Sequence, residues 1–236
     1  MTRSGVPESR RRSRRPLLQA VFQDPAFSLP PHLTGWEILQ EPLDIWHRGT
    51  RGQRREAAAR AAERVKFPVA SLDQKSAAWS GGLAQRLSVA RALMLEPRLL
   101  VLDEPLSALD PTLAGHLLEL LLELKAEGLS LLFVSHDLPA VARLCEHILV
   151  LYGGEPMCLG PTSELLRKLR HPYLRGLWEA VPQLGGQAPR RWGTATTRDP
   201  VKGGCLLLDR CPRATDRCRQ APETHLTERC WNPWEG

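Results

Sequence analysis

The chain has 236 residues, a formal net charge of +6, and ordinary apolar and charged contents of 42% and 25%. That composition excludes whole-chain disorder and suits one large domain, or one domain with an appendage. No run approaches the roughly 18 apolar residues of a membrane helix, and Pro16 to Phe22 is too short and mixed for a signal-peptide core, so a soluble cytoplasmic protein is expected, with any membrane role exerted through a partner.

Six of the first fifteen residues are arginine. Such an arm can contact nucleic acid or anionic lipid, but a solvated, disordered terminus is the plainer reading of residues 1–15. Leu17 to Phe22 reads as a short strand stopped by the turn chemistry of Gln23-Asp24-Pro25. Gln53 to Lys66, rich in Ala, Arg and Glu, reads as a helix ended before Pro68. After Ser80-Gly81-Gly82, the residues Leu83, Leu87, Ala90 and Met94 recur at helical spacing. Arg98 to Asp103 is a continuous apolar run ending in acid, the pattern of a buried parallel strand. Pro111 to Lys125 is a leucine-rich helix with proline in its first turn and Gly128 beyond its end. Leu131 to Ser135 reads as a strand, Leu138 to Cys145 as a helix and Ile148 to Leu151 as a further strand. This alternation predicts an α/β domain with a largely parallel core. Gly185, Gly186, Pro189, Gly193 and Pro200 mark a linker after about residue 183, followed by a small cysteine-bearing tail.

Three elements carry chemistry. Leu99 to Leu102 delivers Asp103 and Glu104 to the carboxyl end of a buried strand, the edge at which ligands bind in parallel α/β sheets. An Asp there can hold Mg²⁺, and an adjacent Glu can orient or deprotonate a water. Ser80-Gly81-Gly82 opens a helix whose backbone N–H groups can approach a phosphate. His136 follows the next strand and can hydrogen-bond a phosphate or a water. Each also has a plain structural reading, as a capped strand end, a helix start or a loop histidine.

In this order the residues resemble the ATPase subunits of ABC transporters. Val21-Phe22-Gln23-Asp24-Pro25 is similar to the Q-loop, Trp79 to Arg86 to the LSGGQ signature, and Val101 to Pro105 to the Walker B strand. Ser107 to Asp110 is similar to the D-loop, and His136 to the switch histidine. The resemblance implies a partial P-loop NTPase-like ABC domain over residues 16–160 and a C-terminal extension over 161–236. It implies ATP and Mg²⁺ as ligands, with Asp103 and Gln23 toward the metal, Glu104 as general base and His136 toward the γ-phosphate. Ser80, Gly81 and Gly82 would meet ATP held by the opposite subunit, and Asp110 would lie at the dimer interface. The implied partners are a second ATPase subunit, alike or different, permease subunits at the inner face of the membrane, and indirectly a solute-binding protein; no nucleic acid is expected.

Asp24 to Leu29 with Pro31, and His171-Pro172-Tyr173 with Leu177 and Ala180-Val181-Pro182, resemble features of oligopeptide, dipeptide and nickel importers. Cys205, Cys211, Cys218 and Cys230 resemble a cysteine set that this family associates with an iron–sulfur cluster. Chemically the four thiols can hold such a cluster or zinc, or stay free. Cys145 and Cys158 read as structural, as do Trp36, Trp46 and His116, with Trp231 and Trp234 shielding the cysteine site.

Two departures stand out. No Gly-Lys-Ser or Gly-Lys-Thr occurs, so the phosphate loop of the family is missing. Trp79 and Leu83 replace the usual Leu and Gln of the signature. The chain starts just before the Q-loop, so the sheet is expected to lack its first strands, to expose an edge or face, and to be unstable in isolation. Three readings follow: an ATP-hydrolysing import subunit whose longer N-terminus carries the missing loop, a half-site partner that supplies only its signature, or a decayed or frame-shifted gene product.

Overall fold

A computed structural model describes residues 15–107, 109–181, 203–222 and 228–234. The basic arm over 1–14 and the linker after residue 183 lie outside the described residues. The chain forms two compact units, residues 1–136 and 137–236. Among the described residues no helix is long and apolar enough to cross a membrane.

The first unit is built on a parallel sheet of three short strands in the order β1 (Leu18–Val21), β2 (Leu99–Asp103) and β3 (Ser130–Val134). Val21 pairs with Leu102, and Leu102 with Phe133, so all three carboxyl ends fall on one edge. Between β1 and β2 lies a helical layer. After a short helix α1 (Pro25–Ser28), α2 (Gly35–Ile45) starts at Thr34, whose hydroxyl accepts from the Glu37 N–H while Glu37 accepts from the Thr34 N–H. That reciprocal cap holds the Glu37 carboxyl below its usual range, chiefly through the Thr34 backbone bond. Helix α3 (Arg51–Arg64) starts the same way, from Thr50 and Gln53. The sequence reading places α3 but misses α2, whose signal was Thr34-x-x-Glu37 ahead of Ile38 and Leu39.

Ala58 and Ala62 let α3 approach its neighbours, and Val65, Phe67 and Leu72 fill the space below it. The ring of Phe67 meets Trp79 edge-on at 5.3 Å. A Cβ on Gly35 would stand 2.9 Å from the Leu72 Cα, so only glycine fits where α2 crosses that segment. Helix α4 (Gly81–Leu93) buries Leu87, Val89, Ala90 and Leu93, and α5 (Pro111–Ala126) buries Leu117, Leu120, Leu121 and Leu124.

The second unit opens with α6 (Leu138–Leu144) and continues in an antiparallel hairpin, β4 (His147–Tyr152) and β5 (Glu155–Pro161). The strand expected at 148–151 therefore lies outside the parallel sheet. Gly153 and Gly154, at φ +57° and +83°, make the tight turn that returns the chain at once, whereas a parallel partner needs a long crossover. Helices α7 (Thr162–Lys168) and α8 (Pro172–Glu179) follow. The C-terminal segment binds this unit through the Arg229 N–H on the Met157 carbonyl, an Arg229–Glu155 ion pair at 2.6 Å, and Trp234, whose ring lies between the Arg175 and Arg213 guanidinium groups at 4.4 and 4.6 Å.

His171 ties these pieces together. It is 2% exposed, its Nδ1 accepts from the Tyr173 N–H, and its Nε2 donates to the Arg229 carbonyl. Burial pushes its pKa below the usual histidine value, against a smaller opposing effect of the Arg229 carbonyl. The unfolded chain therefore takes up the proton first as pH falls. Stability from this group is complete above about pH 6.5 and is lost below it, by at most about 1.4 kcal/mol per pH unit. The thermal midpoint is expected to fall between pH 7 and pH 5 more steeply in wild type than in His171→Gln; parallel curves would show that His171 does not drive the acid loss.

Candidate functional site

The site assembles at the carboxyl ends of β2 and β3. β2 ends in Asp103, which is exposed and has no ion-pair partner among the described residues. The next residue, Glu104, sits at φ +46°, a conformation costly for a side chain with a Cβ. It is held there on both sides: its N–H donates to the Val134 carbonyl at 2.9 Å, and its carbonyl accepts from the Ser107 hydroxyl at 2.9 Å. The strain turns the Glu104 carboxylate toward β3. Its Oε1 accepts from the His136 N–H at 3.0 Å and lies 2.9 Å from His136 Nδ1; its Oε2 accepts from the Ser135 hydroxyl at 3.5 Å. The Glu104 side chain is 20% exposed and that of His136 79%, so a carboxylate sheltered in the protein is bridged to solvent by an imidazole.

Gln23 lies two residues past Val21, which pairs with Leu102, so it leaves the same sheet edge, exposed. Ser80 caps α4, its hydroxyl accepting from the Leu83 N–H at 3.4 Å. Gly81 has open space where a Cβ would stand, whereas a Cβ on Gly82 would meet Leu113 Cδ1 at 2.5 Å. Gly81 thus leaves the backbone of the helix start accessible, and Gly82 lets α4 approach α5. Asp110 caps α5, accepting from the Thr112 and Leu113 N–H groups at 3.0 Å.

Sequence reasoning singled out Asp103, Glu104 and His136, which the fold brings together. It missed Ser107 and Ser135 as the groups that hold Glu104, since a serine near a strand end carries no signal of its own. It also missed Gln85, which is 2% exposed on α4 with neither side-chain polar atom hydrogen-bonded among the described residues.

In the second unit Cys205, Cys211, Cys218 and Cys230 are all free thiols. The Cys205 N–H donates to the Cys218 carbonyl at 2.9 Å. Cys211 lies within electrostatic reach of Cys205 and Cys218, and Cys230 of Cys211 and Cys205. Burial pushes the thiols of Cys205 and Cys211 up, and that of Cys230 to about 11. Among the described residues no three His, Cys, Asp or Glu groups stand close enough to enclose a single metal ion.

A parallel sheet ending in Asp-Glu, an adjoining strand ending in His, and a glycine-started helix define a nucleotide-binding cassette of the ABC type. Known proteins agree. Residues 2–107 match the ABC transporter family, and residues 157–218 match the oligopeptide/dipeptide transporter C-terminal region. The chain is 39% identical over 222 residues to a putative peptide import ATP-binding protein of Brucella ovis, covering 89% of this chain and 68% of that one. It is 36% identical to the probable D,D-dipeptide transport ATP-binding protein of Escherichia coli, covering 91% and 73%. Among solved structures it is similar to a dimeric ATP-binding cassette in a post-hydrolysis state bound to ADP and Pi, with TM-score 0.60 and 28% identity, over 67% of this chain and 68% of that one. The chain belongs to the ATP-binding subunits of ABC transporters, in the branch that carries the oligopeptide/dipeptide C-terminal region, and so to the ABC-type ATPases.

Proposed function

We propose that this chain couples ATP hydrolysis to import of peptides, bound to permease subunits at the cytoplasmic face of the membrane and paired with a second ATPase subunit. The single observation that carries the reading is Glu104, held at a strained φ with its carboxylate against His136, beside an exposed Asp103 that has no ion-pair partner among the described residues. Asp103 and Gln23 are acidic and amide oxygen donors of the kind Mg²⁺ takes, and both are exposed at one sheet edge. Mg²⁺ bound there would neutralise phosphate charge. Glu104 accepts the proton of the attacking water, and His136 keeps that carboxylate aimed and can contact the γ-phosphate. Ser80, Gly81 and Gly82 offer backbone N–H groups to the nucleotide of the opposite subunit, and Asp110 holds the start of α5 at that junction. Peptides are favoured over nickel because the similar proteins of Brucella and Escherichia are named for peptide import and D,D-dipeptide transport.

A cleft of about 470 Å³ beside the Q-loop, lined by Val21, Phe22, Leu29, Ile45 and Trp46, is the permease contact in this reading; Phe22 and Ile45 are 60% and 64% exposed. The test is phosphate release by the transporter purified with its permease subunits in vesicles, with and without peptide. Release that depends on peptide supports the reading, and release no higher than in a Ser80→Arg variant removes it. The half-site reading is favoured by one observation, the lack of any Gly-Lys-Ser or Gly-Lys-Thr in the chain. It requires Ser80→Arg to matter and Glu104→Gln not to.

The division into an ATPase portion over 16–160 and an extension over 161–236 is part of this proposal, supported by the family match at 157–218. So is an iron–sulfur cluster on Cys205, Cys211, Cys218 and Cys230. What supports it is that all four are free thiols, with Cys211 in electrostatic reach of Cys205 and Cys218, and Cys230 of Cys205 and Cys211. Anaerobically purified protein is expected to carry iron and acid-labile sulfide in equal amounts, with loading that rises with pH because the buried thiols must lose protons. Colourless, iron-free protein would remove the assignment.

A further inference from the structure

The chain passes from α2 into α3 through a strip of unbalanced positive charge. Residues 46–55 hold four arginines and a histidine, and no acid. The carboxylates on either side are already engaged: Glu41 with Arg91 at 2.6 Å, Asp44 with Arg54, and Glu56 with Arg60 at 3.8 Å. Arg48, Arg51 and Arg55 are exposed, and among the described residues none of the three has a carboxylate partner. The strip is held in shape by its backbone. The Arg48 N–H donates to the Leu43 carbonyl at 2.9 Å, and the Arg48 carbonyl accepts from Arg54 Nε at 2.8 Å. Gly49, at φ +70°, makes the bend, and the Thr50–Gln53 cap then starts α3. Arg51 and Arg55 therefore stand one turn apart on that helix, with the Arg55 guanidinium 3.9 Å from the centre of the Trp36 ring. Directly ahead of the strip, exposed Ile45 and half-buried Trp46 line the cleft beside the Q-loop.

We propose that this strip docks on the phosphate headgroups of anionic phospholipids, bracing the subunit against the bilayer beside its permease. The inference rests on the proposed function in one respect, that a permease seated in the cleft turns the end of α2 toward the membrane. The remaining support is charge and chemistry. All the cations of the strip apart from His47 are arginines, whose planar forks meet phosphate oxygens in pairs. With the neighbouring acids engaged elsewhere, the donors of Arg51 and Arg55 are left for a ligand. Ile45 and Trp46 add the apolar and aromatic groups that settle at the headgroup level of a bilayer. That pairing favours a lipid surface over a nucleic acid, which would meet the arginines and leave Ile45 in water. The rest of α3 supplies an internal comparison. Arg60 lies nine residues beyond Arg51, half a turn round the helix, and is paired with Glu56, while Arg64 is paired with Glu127.

The experiment floats the full chain with vesicles of phosphatidylcholine, or of phosphatidylcholine and phosphatidylglycerol in equal parts, without nucleotide or permease. Wild type is expected to bind the anionic vesicles alone and to be released by rising salt. Arg51→Gln/Arg55→Gln, checked for an unchanged thermal midpoint, should lower the partition coefficient about 25-fold, about fivefold for each charge removed. Arg60→Gln/Arg64→Gln removes the same charge from elsewhere on α3 and should leave binding within about twofold of wild type. Equal binding of wild type to both kinds of vesicle overturns the proposal, and that comparison needs no variant. Equal losses in the two double variants, tighter binding to single-stranded DNA than to anionic vesicles, or release by inorganic phosphate beyond that by sodium chloride of equal ionic strength also overturn it. Neither ATP nor peptide enters the measurement, so absence of lipid binding leaves the ATPase reading standing, and failure of peptide-dependent phosphate release leaves lipid binding standing.

Discussion

ATP turnover by the assembled transporter is expected to fall by about 10²–10⁴-fold in Glu104→Gln, the range typical of losing a general base. The amide is nearly the same size and can still accept from the His136 N–H through its oxygen, so the strained turn at φ +46° should survive. What disappears is a carboxylate able to take a proton. Nucleotide affinity should change little, because the loss is confined to the transition state. Single-turnover phosphate release and equilibrium nucleotide binding, measured on the same preparation, separate the two effects. Equal turnover in Glu104→Gln and wild type would remove Glu104 as base and favour the half-site reading, provided Ser80→Arg still abolished activity. His136→Ala should lower turnover less than Glu104→Gln, since the Ser135 hydroxyl still donates to the carboxylate and the Val134 carbonyl still fixes its backbone.

Phe67→Ala is expected to cost about 3–5 kcal/mol, the range for deleting a large buried aromatic side chain. Phe67 is 2% exposed at the foot of α3, and its edge-on contact with Trp79 adds about 0.5–1.5 kcal/mol specific to that pair. Against a total stability of about 5–15 kcal/mol for a domain, that is a large share. The effect should reach the site, because Trp79 directly precedes the Ser80 cap of α4. Denaturant unfolding should show a lower midpoint with an unchanged slope, and hydrogen exchange should show the loss spreading to the amides of Leu83 and Ala84. Phe67→Leu, which keeps most of the volume, should cost less than about 1.5 kcal/mol. If Phe67→Ala lowered stability without loosening the start of α4, the pair would be a packing contact alone.

The bare sheet face and the site share one cause in the chain. Apolar runs such as Leu99 to Leu102 announce a strand buried on both sides, and that is how the sequence reads. The fold satisfies one side through α4 and leaves the other open at Leu18, Leu132 and Val134. Register places these three exposed residues on one face of the sheet, opposite Leu100 and Leu102.

By itself the sequence determined what depends on neighbours along the chain. The periodicity of Leu83, Leu87 and Ala90 announces α4, Pro111 with a downstream Gly128 brackets α5, and the apolar run ending in Asp103-Glu104 announces β2. These signals are local, because helix period, caps and strand ends are set within a few residues. Gly153-Gly154 is an equally local signal, a tight turn that sets β4 in an antiparallel hairpin with β5 rather than in the largely parallel core expected from the strand–helix alternation. Only the tertiary structure decided the partnership of Glu104 with His136, 32 residues apart, the role of Ser107 and Ser135 in holding that carboxylate, and the burial of His171 under Arg229. Those depend on which strands lie side by side and in what register, and pairing across long loops leaves no periodic trace in the chain.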